Sequence, residues 1–363
     1  IYLYKEIILI KIGGYMAKNK FSLIFQMGAV FIGTIVGAGL ASGQEMTQFF
    51  TTYGYKSFIG LTICFFIYVI MGSIIIDISI KHNLTSYNSL ISLVSPGFLG
   101  KAIDLLTGLF LISSSAIILA GSGSLLNQYF GISKWVGICI MVISSLVILL
   151  RDTKGLIEIN SFIVPALMIV IITVFILYLA FSRNVSIAQI KSVPHYRKHW
   201  LVSTLIYSGF NILCCSGVLV PLSTEIKDKT ILKSGLVVGS LGLTILSFII
   251  NLLLLLNIPY IFKYEIPLLY IANRFGTIIQ IMLLCIIWLE MFSTEVSNIF
   301  SVGKTMEQSL GISYNKAVFI VILLAIPISQ LGFVNLISVL YPSFAVVSFI
   351  FMVQCIIFYI KEK

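Results

Sequence analysis

The sequence predicts an all-α, polytopic membrane protein with ten transmembrane helices, and three observations predict it. Hydrophobic residues (AVILMFWYC) are 59% of the 363 residues and charged residues are 10%, where soluble globular chains run near 25% charged. Mean hydropathy is +1.10. Apolar runs of about 20 residues, enough to cross about 30 Å of hydrocarbon at 1.5 Å per residue, recur along the whole chain. This balance excludes a soluble enzyme, a disordered chain, a secreted disulfide scaffold and a nucleic-acid binder. Cys64, Cys139, Cys214, Cys215, Cys285 and Cys355 all fall inside apolar runs without metal-type spacing, and read as small buried hydrophobes.

The segments follow in order. Span 1 is predicted at 21–52, interrupted near 37–43, and span 2 at 57–80. Spans 3, 4 and 5 are predicted at 100–129, 134–150 and 155–182. Span 6 is predicted at 200–224, interrupted near 208–217, and span 7 at 232–256. Span 8, at 275–305, follows a short amphipathic piece at 266–272; spans 9 and 10 are predicted at 315–333 and 335–360. The net charge of +10 resides in the connections. With a cytoplasmic N-terminus, inside segments hold 13 Lys and Arg and outside segments 8, leaving out Lys5 and Lys11. That bias sets the orientation. The connection between spans 5 and 6 runs against it, with Arg183, Lys191, Arg197 and Lys198 outside. Asp77, Asp104 and Glu158 lie near inner helix ends and are expected to snorkel to water.

Residues 1–15 look unlike the rest and precede Met16. They are expected to be a non-native upstream extension, with Gly13-Gly14 a ribosome-binding tract read through as codons. Glu6 and Lys11 interrupt the apolar core that a signal peptide would need. Residues 16–363 are expected to form one transmembrane domain of two halves, 21–182 and 200–361. Five spans is an odd number, so the second half must be inserted upside down. Interrupted helices at matching places in inverted halves mark the binding site of a secondary transporter.

Span 1 holds Gly33, Gly37, Gly39 and Gly43, four glycines in eleven residues, each about 1 kcal/mol worse than Ala in a helix. Two readings compete. A break would turn carbonyls toward a cation and amides toward a carboxylate. Gly33–Gly37 and Gly39–Gly43 are also GxxxG spacings that suit close helix packing. Span 6 carries a softer signal, with Gly209 and Gly217 beside the polar Ser208 and Asn211. In span 8, Glu290, Thr294, Ser297 and Ser301 recur at helical spacing, with Ser293 and Asn298 beside them. A carboxylate at mid-membrane costs at least about 2.5–3.5 kcal/mol, so Glu290 is a functional candidate, and Glu295 a weaker one. The alternative is a polar stripe that joins helices.

The string Gly33-x-x-Val36-Gly37-x-Gly39, followed by Ala41-Ser42-Gly43-Gln44-Glu45, resembles the first helix of the YkvI-like bacterial membrane proteins. These are similar to the amino acid–polyamine–organocation superfamily, with its LeuT-type fold of 5+5 inverted repeats and broken helices 1 and 6. The resemblance covers nearly all of 21–361. It implies a sodium site from the carbonyls of Gly33 and Val36 and the hydroxyls of Ser293 and Thr294, with a third carbonyl near Glu290. An all-oxygen cage suits a hard cation. The lysine that some proton-coupled relatives place in helix 5 is missing after the start of span 5. Leu40 stands where a second sodium site would need a polar side chain. The resemblance also implies a substrate carboxylate on the amides of Gly37, Ala38 and Gly39. The substrate amine would then face carbonyls near Ser208, Gly209 and Asn211. Glu45 departs from the better-known transporters; a proton carrier, a vestibule residue and a partner for a basic residue all remain open.

The functional expectation is therefore a secondary transporter of an amino acid or similar small solute, coupled to sodium or protons, in the bacterial plasma membrane. Its partners are that solute and the lipid bilayer, with no nucleic acid. No organic cofactor is expected beyond a sodium ion. The rival is a receptor subunit of the same fold that binds a nutrient without transporting it. An intramembrane enzyme is disfavoured, because no HExxH, paired aspartates or nucleophile–His pair lies within the spans. His195 and His199 have i, i+4 spacing, but an interfacial segment anchored by Tyr196 and Trp200 explains them better. The glycines at 121 and 123 lie inside span 3 without a preceding strand, which points to packing.

Overall fold

The computed structural model describes residues 20–84, 87–149, 154–181, 190 and 193–362. The extension 1–15 and the side chains of Asp104 and Glu158 lie outside what is described. Among the described residues every regular element is helical. Span 1 consists of three pieces, 1a (Lys20–Ile35), 1b (Ala38–Ser42) and 1c (Gln44–Phe49). Span 2 is Lys56–Lys81, span 3 Phe98–Phe130, span 4 Lys134–Leu149 and span 5 Lys154–Phe181. Span 6 is Trp200–Ile226, span 7 Lys229–Leu255, span 8 Thr277–Leu310, span 9 Tyr314–Ser329 and span 10 Phe333–Lys361. Seven of these helices are long and apolar enough to cross a membrane; Leu23–Ile35, Lys134–Leu149 and Tyr314–Ser329 are shorter apolar helices.

Among the described residues, two short α-helices lie between them. Pro267–Ala272 falls where the amphipathic piece is predicted, and Gln128 of span 3 pins its entry. The Gln128 side chain donates to the Ile266 carbonyl and accepts from the Ile266 amide, both at 2.9 Å. The second, Tyr87–Val94, lies outside the ten predicted spans. Its polar approach, Asn83 to Asn88, hides an apolar face of Leu90, Ile91 and Val94, all buried.

The packing repeats under a shift of five spans. Span 1 packs on span 7 as span 6 packs on span 2. The pairs 3–4 and 8–9, 3–10 and 8–5, and 1–5 and 6–10 exchange in the same way. Pairs 2–7 and 3–8 map onto themselves. This is the contact pattern of two inverted five-helix halves, and it brings spans 1 and 6 to the middle of the bundle.

Small residues set the closest approaches, since lipid gives no hydrophobic drive for helix association. A Cβ on Gly239 of span 7 would lie 2.7 Å from the Gly28 carbonyl of 1a. A Cβ on Gly137 of span 4 would lie 2.7 Å from Gly123 Cα of span 3. Gly121 packs on Phe333 and Met291, so Gly121 and Gly123 both serve packing. At one end of the bundle, Asp77 of span 2 pairs with Lys229 at 3.3 Å and Lys233 at 2.7 Å. At the same end, Glu362 after span 10 pairs with Lys81 at 3.1 Å and His82 at 2.7 Å. The hydrogen bond from His82, reinforced by Lys81, holds the Glu362 carboxyl below the usual carboxylate range. At the other end, His195 Nδ1 donates to the Tyr53 carbonyl at 2.7 Å, and the Tyr196 amide to the Thr52 carbonyl at 2.9 Å. The segment before span 6 thus docks on the end of span 1, and among the described residues no cluster of metal ligands forms.

Candidate functional site at the broken span

The helical ladder of span 1 stops where the Val36 amide donates to the Ile32 carbonyl at 2.8 Å. It resumes where the Ala41 amide donates to the Gly37 carbonyl at 3.1 Å. Among the described backbone hydrogen bonds, none joins the amides of Gly37 to Leu40 with the carbonyls of Gly33 to Val36. Gly37 is extended, with φ −112° and ψ −166°. Unpaired backbone at membrane depth survives only against protein or an aqueous cavity. Val36, Ala38, Gly39 and Leu40 are buried, whereas Gly37 is half-buried and a Cβ on it would meet nothing within 4 Å. The break therefore borders open space at Gly37. At Gly33 a Cβ would lie 2.9 Å from Val164 of span 5, so this glycine serves close packing as well.

A second bend follows. Gly43 has φ +83°, a left-handed conformation that favours glycine. The Ser42 hydroxyl donates to the Gly39 carbonyl at 3.0 Å and accepts from the Gln44 amide at 3.2 Å, which stabilises the turn. The bend folds Glu45 back over Gly39. A Cβ on Gly39 would lie 2.1 Å from Glu45 Oε1 and 2.3 Å from its Cγ, so only glycine fits there.

Glu45 is buried, 3% exposed. The Tyr341 hydroxyl of span 10 donates to its Oε1. Tyr207 of span 6 lies beside the same carboxyl with its buried hydroxyl outside hydrogen-bond reach, and Cys214 of span 6 lies near it. Tyr341 is stacked between Phe210, with centroids 4.0 Å apart, and Phe49, 5.4 Å apart. Phe110 of span 3 meets Phe210 edge-on at 4.8 Å. Among the described residues, no Lys, Arg or His makes an ion pair with Glu45.

Span 6 departs from the expected interruption near 208–217, because it is one continuous helix from Trp200 to Ile226. Two glycines are too few to break it, and its polar side chains find partners without unwinding. Ser208 donates to the Leu205 carbonyl at 3.2 Å, and Ser216 to the Leu213 carbonyl at 2.6 Å. Asn211 donates to the Tyr68 hydroxyl of span 2 at 3.0 Å. Gly209 packs on Met352 of span 10, whose terminal methyl would lie 3.0 Å from a Cβ added there. The carbonyls near Ser208 to Asn211 are therefore engaged in the helix and do not present an unwound acceptor. The face of span 6 nearest Glu45 is Tyr207, Phe210 and Cys214. Their i, i+3, i+7 spacing is a stripe in the sequence, but in an apolar span it looks like ordinary packing beside the more conspicuous Ser208 and Asn211.

Span 8 carries its polar residues on two sides. Glu290 and Glu295 are five residues apart, about 140° around the helix. Glu290 is 2% exposed, and its Oε1 has no hydrogen-bond partner. Glu295 is fully buried and accepts from Ser115 of span 3 at 2.6 Å, while Asn298 donates to Ser114 at 3.0 Å. That side joins helices. On the other side, the Thr294 hydroxyl donates to the Glu290 carbonyl at 2.9 Å, and Ser293 is buried. A hydroxyl that donates its proton keeps lone pairs for a cation, so the Thr294 oxygen suits a hard ion, with the buried Ser293 beside it in sequence. Span 8 touches span 1 through 1b and span 5 directly.

No family model matches the chain. It is 30% identical over 328 residues to the membrane protein YkvI of Bacillus subtilis strain 168, covering 90% of this chain and 93% of that one. It is 24% identical to YyaD of the same organism, over 91% and 95% of the two chains. Among solved structures, inward-facing Mhp1 matches with a TM-score of 0.66 at 13% identity, covering 91% of this chain and 73% of that one. A Na+-coupled sialic acid symporter matches at 0.65 and 16% identity, covering 91% and 78%. The Eremococcus coleocola manganese transporter matches at 0.59 and 13%, covering 95% and 86%. The chain is an all-helical membrane protein of LeuT-type fold, and it belongs to the family of YkvI.

Proposed function

We propose that the chain is a secondary active transporter of an amino acid or similar small zwitterion, coupled to sodium or protons. It works by alternating access about span 1, in the bacterial plasma membrane with a cytoplasmic N-terminus. The observation that carries this reading is the pair of unpaired backbone sets flanking Gly37, beside the open space there. Amides of Gly37, Ala38 and Gly39 can hold a substrate carboxylate. Carbonyls of Gly33 and Val36, with the hydroxyls of Ser293 and Thr294, can hold a sodium ion as cargo. Tyr207 and Phe210 supply the facing wall, in place of an unwound segment at Ser208, Gly209 and Asn211. Glu45 and Glu290 are the carboxyls placed to couple or gate.

Counterflow in proteoliposomes tests the reading, with a radiolabelled mixture of the common amino acids as probe. A transporter exchanges label across the membrane. Binding without any exchange establishes the receptor reading instead. For the ion, Ser293→Ala with Thr294→Ala is expected to remove sodium-dependent exchange; exchange that ignores sodium in the parent chain rules that assignment out.

A further inference from the structure

Glu45 is a carboxyl sealed at the centre of the bundle, and no cation among the described residues balances it. Its carboxyl rests on Gly39 of 1b, accepts from Tyr341 of span 10, and is walled by rings of Phe49, Tyr207 and Phe210. The titratable groups facing it are Tyr341 from span 10, Tyr207 and Cys214 from span 6, and Tyr68 from span 2. All of these are neutral near pH 7. An ionised carboxylate in such a site would stand unpaired in low dielectric, which is severely unfavourable. A neutral carboxyl is compatible with it, because its carbonyl oxygen accepts from Tyr341. When 1b and 1c swing away from span 10, water reaches the group and solvates the carboxylate.

We infer that Glu45 is a proton-binding site, protonated when span 1 closes against spans 6 and 10 and deprotonated when water enters, so that a proton is a coupling ion of this carrier. The step is a proton transfer alone: the carboxyl O–H bond forms with a proton from water on one side and breaks to water on the other. Tyr341 is a positioning residue, since its hydroxyl fixes Oε1 and its ring covers the site. The inference rests on the transport reading for its coupling role, while proton binding itself is measurable without transport.

Two measurements test it. In sodium-free proteoliposomes with an acidic outside, the labelled amino acid mixture is expected to accumulate, about tenfold per pH unit for one proton per solute. Glu45→Gln is expected to abolish accumulation, and Tyr341→Phe to shift its pH profile while accumulation survives. Accumulation by Glu45→Gln at the parental level overturns the inference. The second measurement needs no substrate: thermal melts of the purified full chain from about pH 4, near the unfolded carboxyl value, up through neutral pH. The closed form binds a proton, so raising pH destabilises the parent, and Glu45→Gln is expected to flatten that slope. Equal slopes in a folded Glu45→Gln protein overturn proton binding. A parent that shows the slope but no counterflow condemns the transport reading and leaves the proton site standing.

Discussion

Spans 1 and 6 occupy equivalent places in the two inverted halves, yet one is broken and the other is not. Span 1 has four glycines within eleven residues, and two of them fill places no other residue can fill. Gly43 takes φ +83°, and Gly39 makes room for the Glu45 carboxyl. Span 6 has only Gly209 and Gly217 across its middle, and its Ser and Asn side chains bond within the helix or to span 2. Polar residues alone do not break a membrane helix, because the backbone keeps its own hydrogen bonds. A break needs glycine density together with something to occupy the released backbone. The two halves share a scaffold, and of spans 1 and 6 only span 1 unwinds among the described residues.

That contrast can be challenged residue by residue. The largest effect belongs to Gly39→Leu, whose side chain would replace the Glu45 carboxyl. Overpacking of this kind costs about 1–3 kcal/mol, and counterflow is expected to vanish with it. A fully active Gly39→Leu protein would show that 1b and 1c repack freely. Next is Asn211→Leu, which removes the bond to Tyr68 and leaves that buried hydroxyl without its donor. A loss of about 1–2 kcal/mol is expected in denaturant unfolding, against no loss if Asn211 faces a solute path. Thiol labelling comes third. Cys214 is half-buried beside Glu45, and Cys215 is 1% exposed. Modification is expected at Cys214, slowed by the amino acid mixture, with Cys215 protected. Comparable rates at both would point to an unwound span 6.

The smallest effects test the quiet positions. A Cβ at Gly217 would meet nothing within 4 Å. Gly217→Ala is therefore expected to stabilise span 6 by up to about 1 kcal/mol, measured by thermal unfolding with counterflow assayed alongside. Slower exchange in the stabilised variant would mean that span 6 bends during the cycle at Gly217. At the bundle end, Glu362 has a depressed folded-state pKa, so its contribution is present above the unfolded value and lost as pH falls through the folded one. A slight acid-side loss of stability, removed by Glu362→Gln, is the expected signature.

Much of the architecture is legible in the chain. Segment ends such as 57–80 and 335–360 lie within a residue or two of Lys56–Lys81 and Phe333–Lys361, because hydrocarbon thickness imposes the helix length. The break in span 1 is legible for the same reason that it exists, its glycine density. The short helix Tyr87–Val94 is not, since a polar approach hides three apolar contacts that only the bundle defines.

Local composition was enough to mark the membrane class and Gly33 to Gly43 as the weak point of span 1, where a break and close packing both stayed open, since lipid-facing backbone must be satisfied. Which side chains surround that weak point was settled only by the folded bundle. Tyr341 lies 296 residues from Glu45 along the chain, and no periodicity relates them. Tyr207, rather than Ser208 or Asn211, faces the carboxyl because helix rotation is fixed by packing on spans 2 and 10. Charge is a property of the sequence, but whether a carboxyl is sealed without a counter-ion depends on what folds around it.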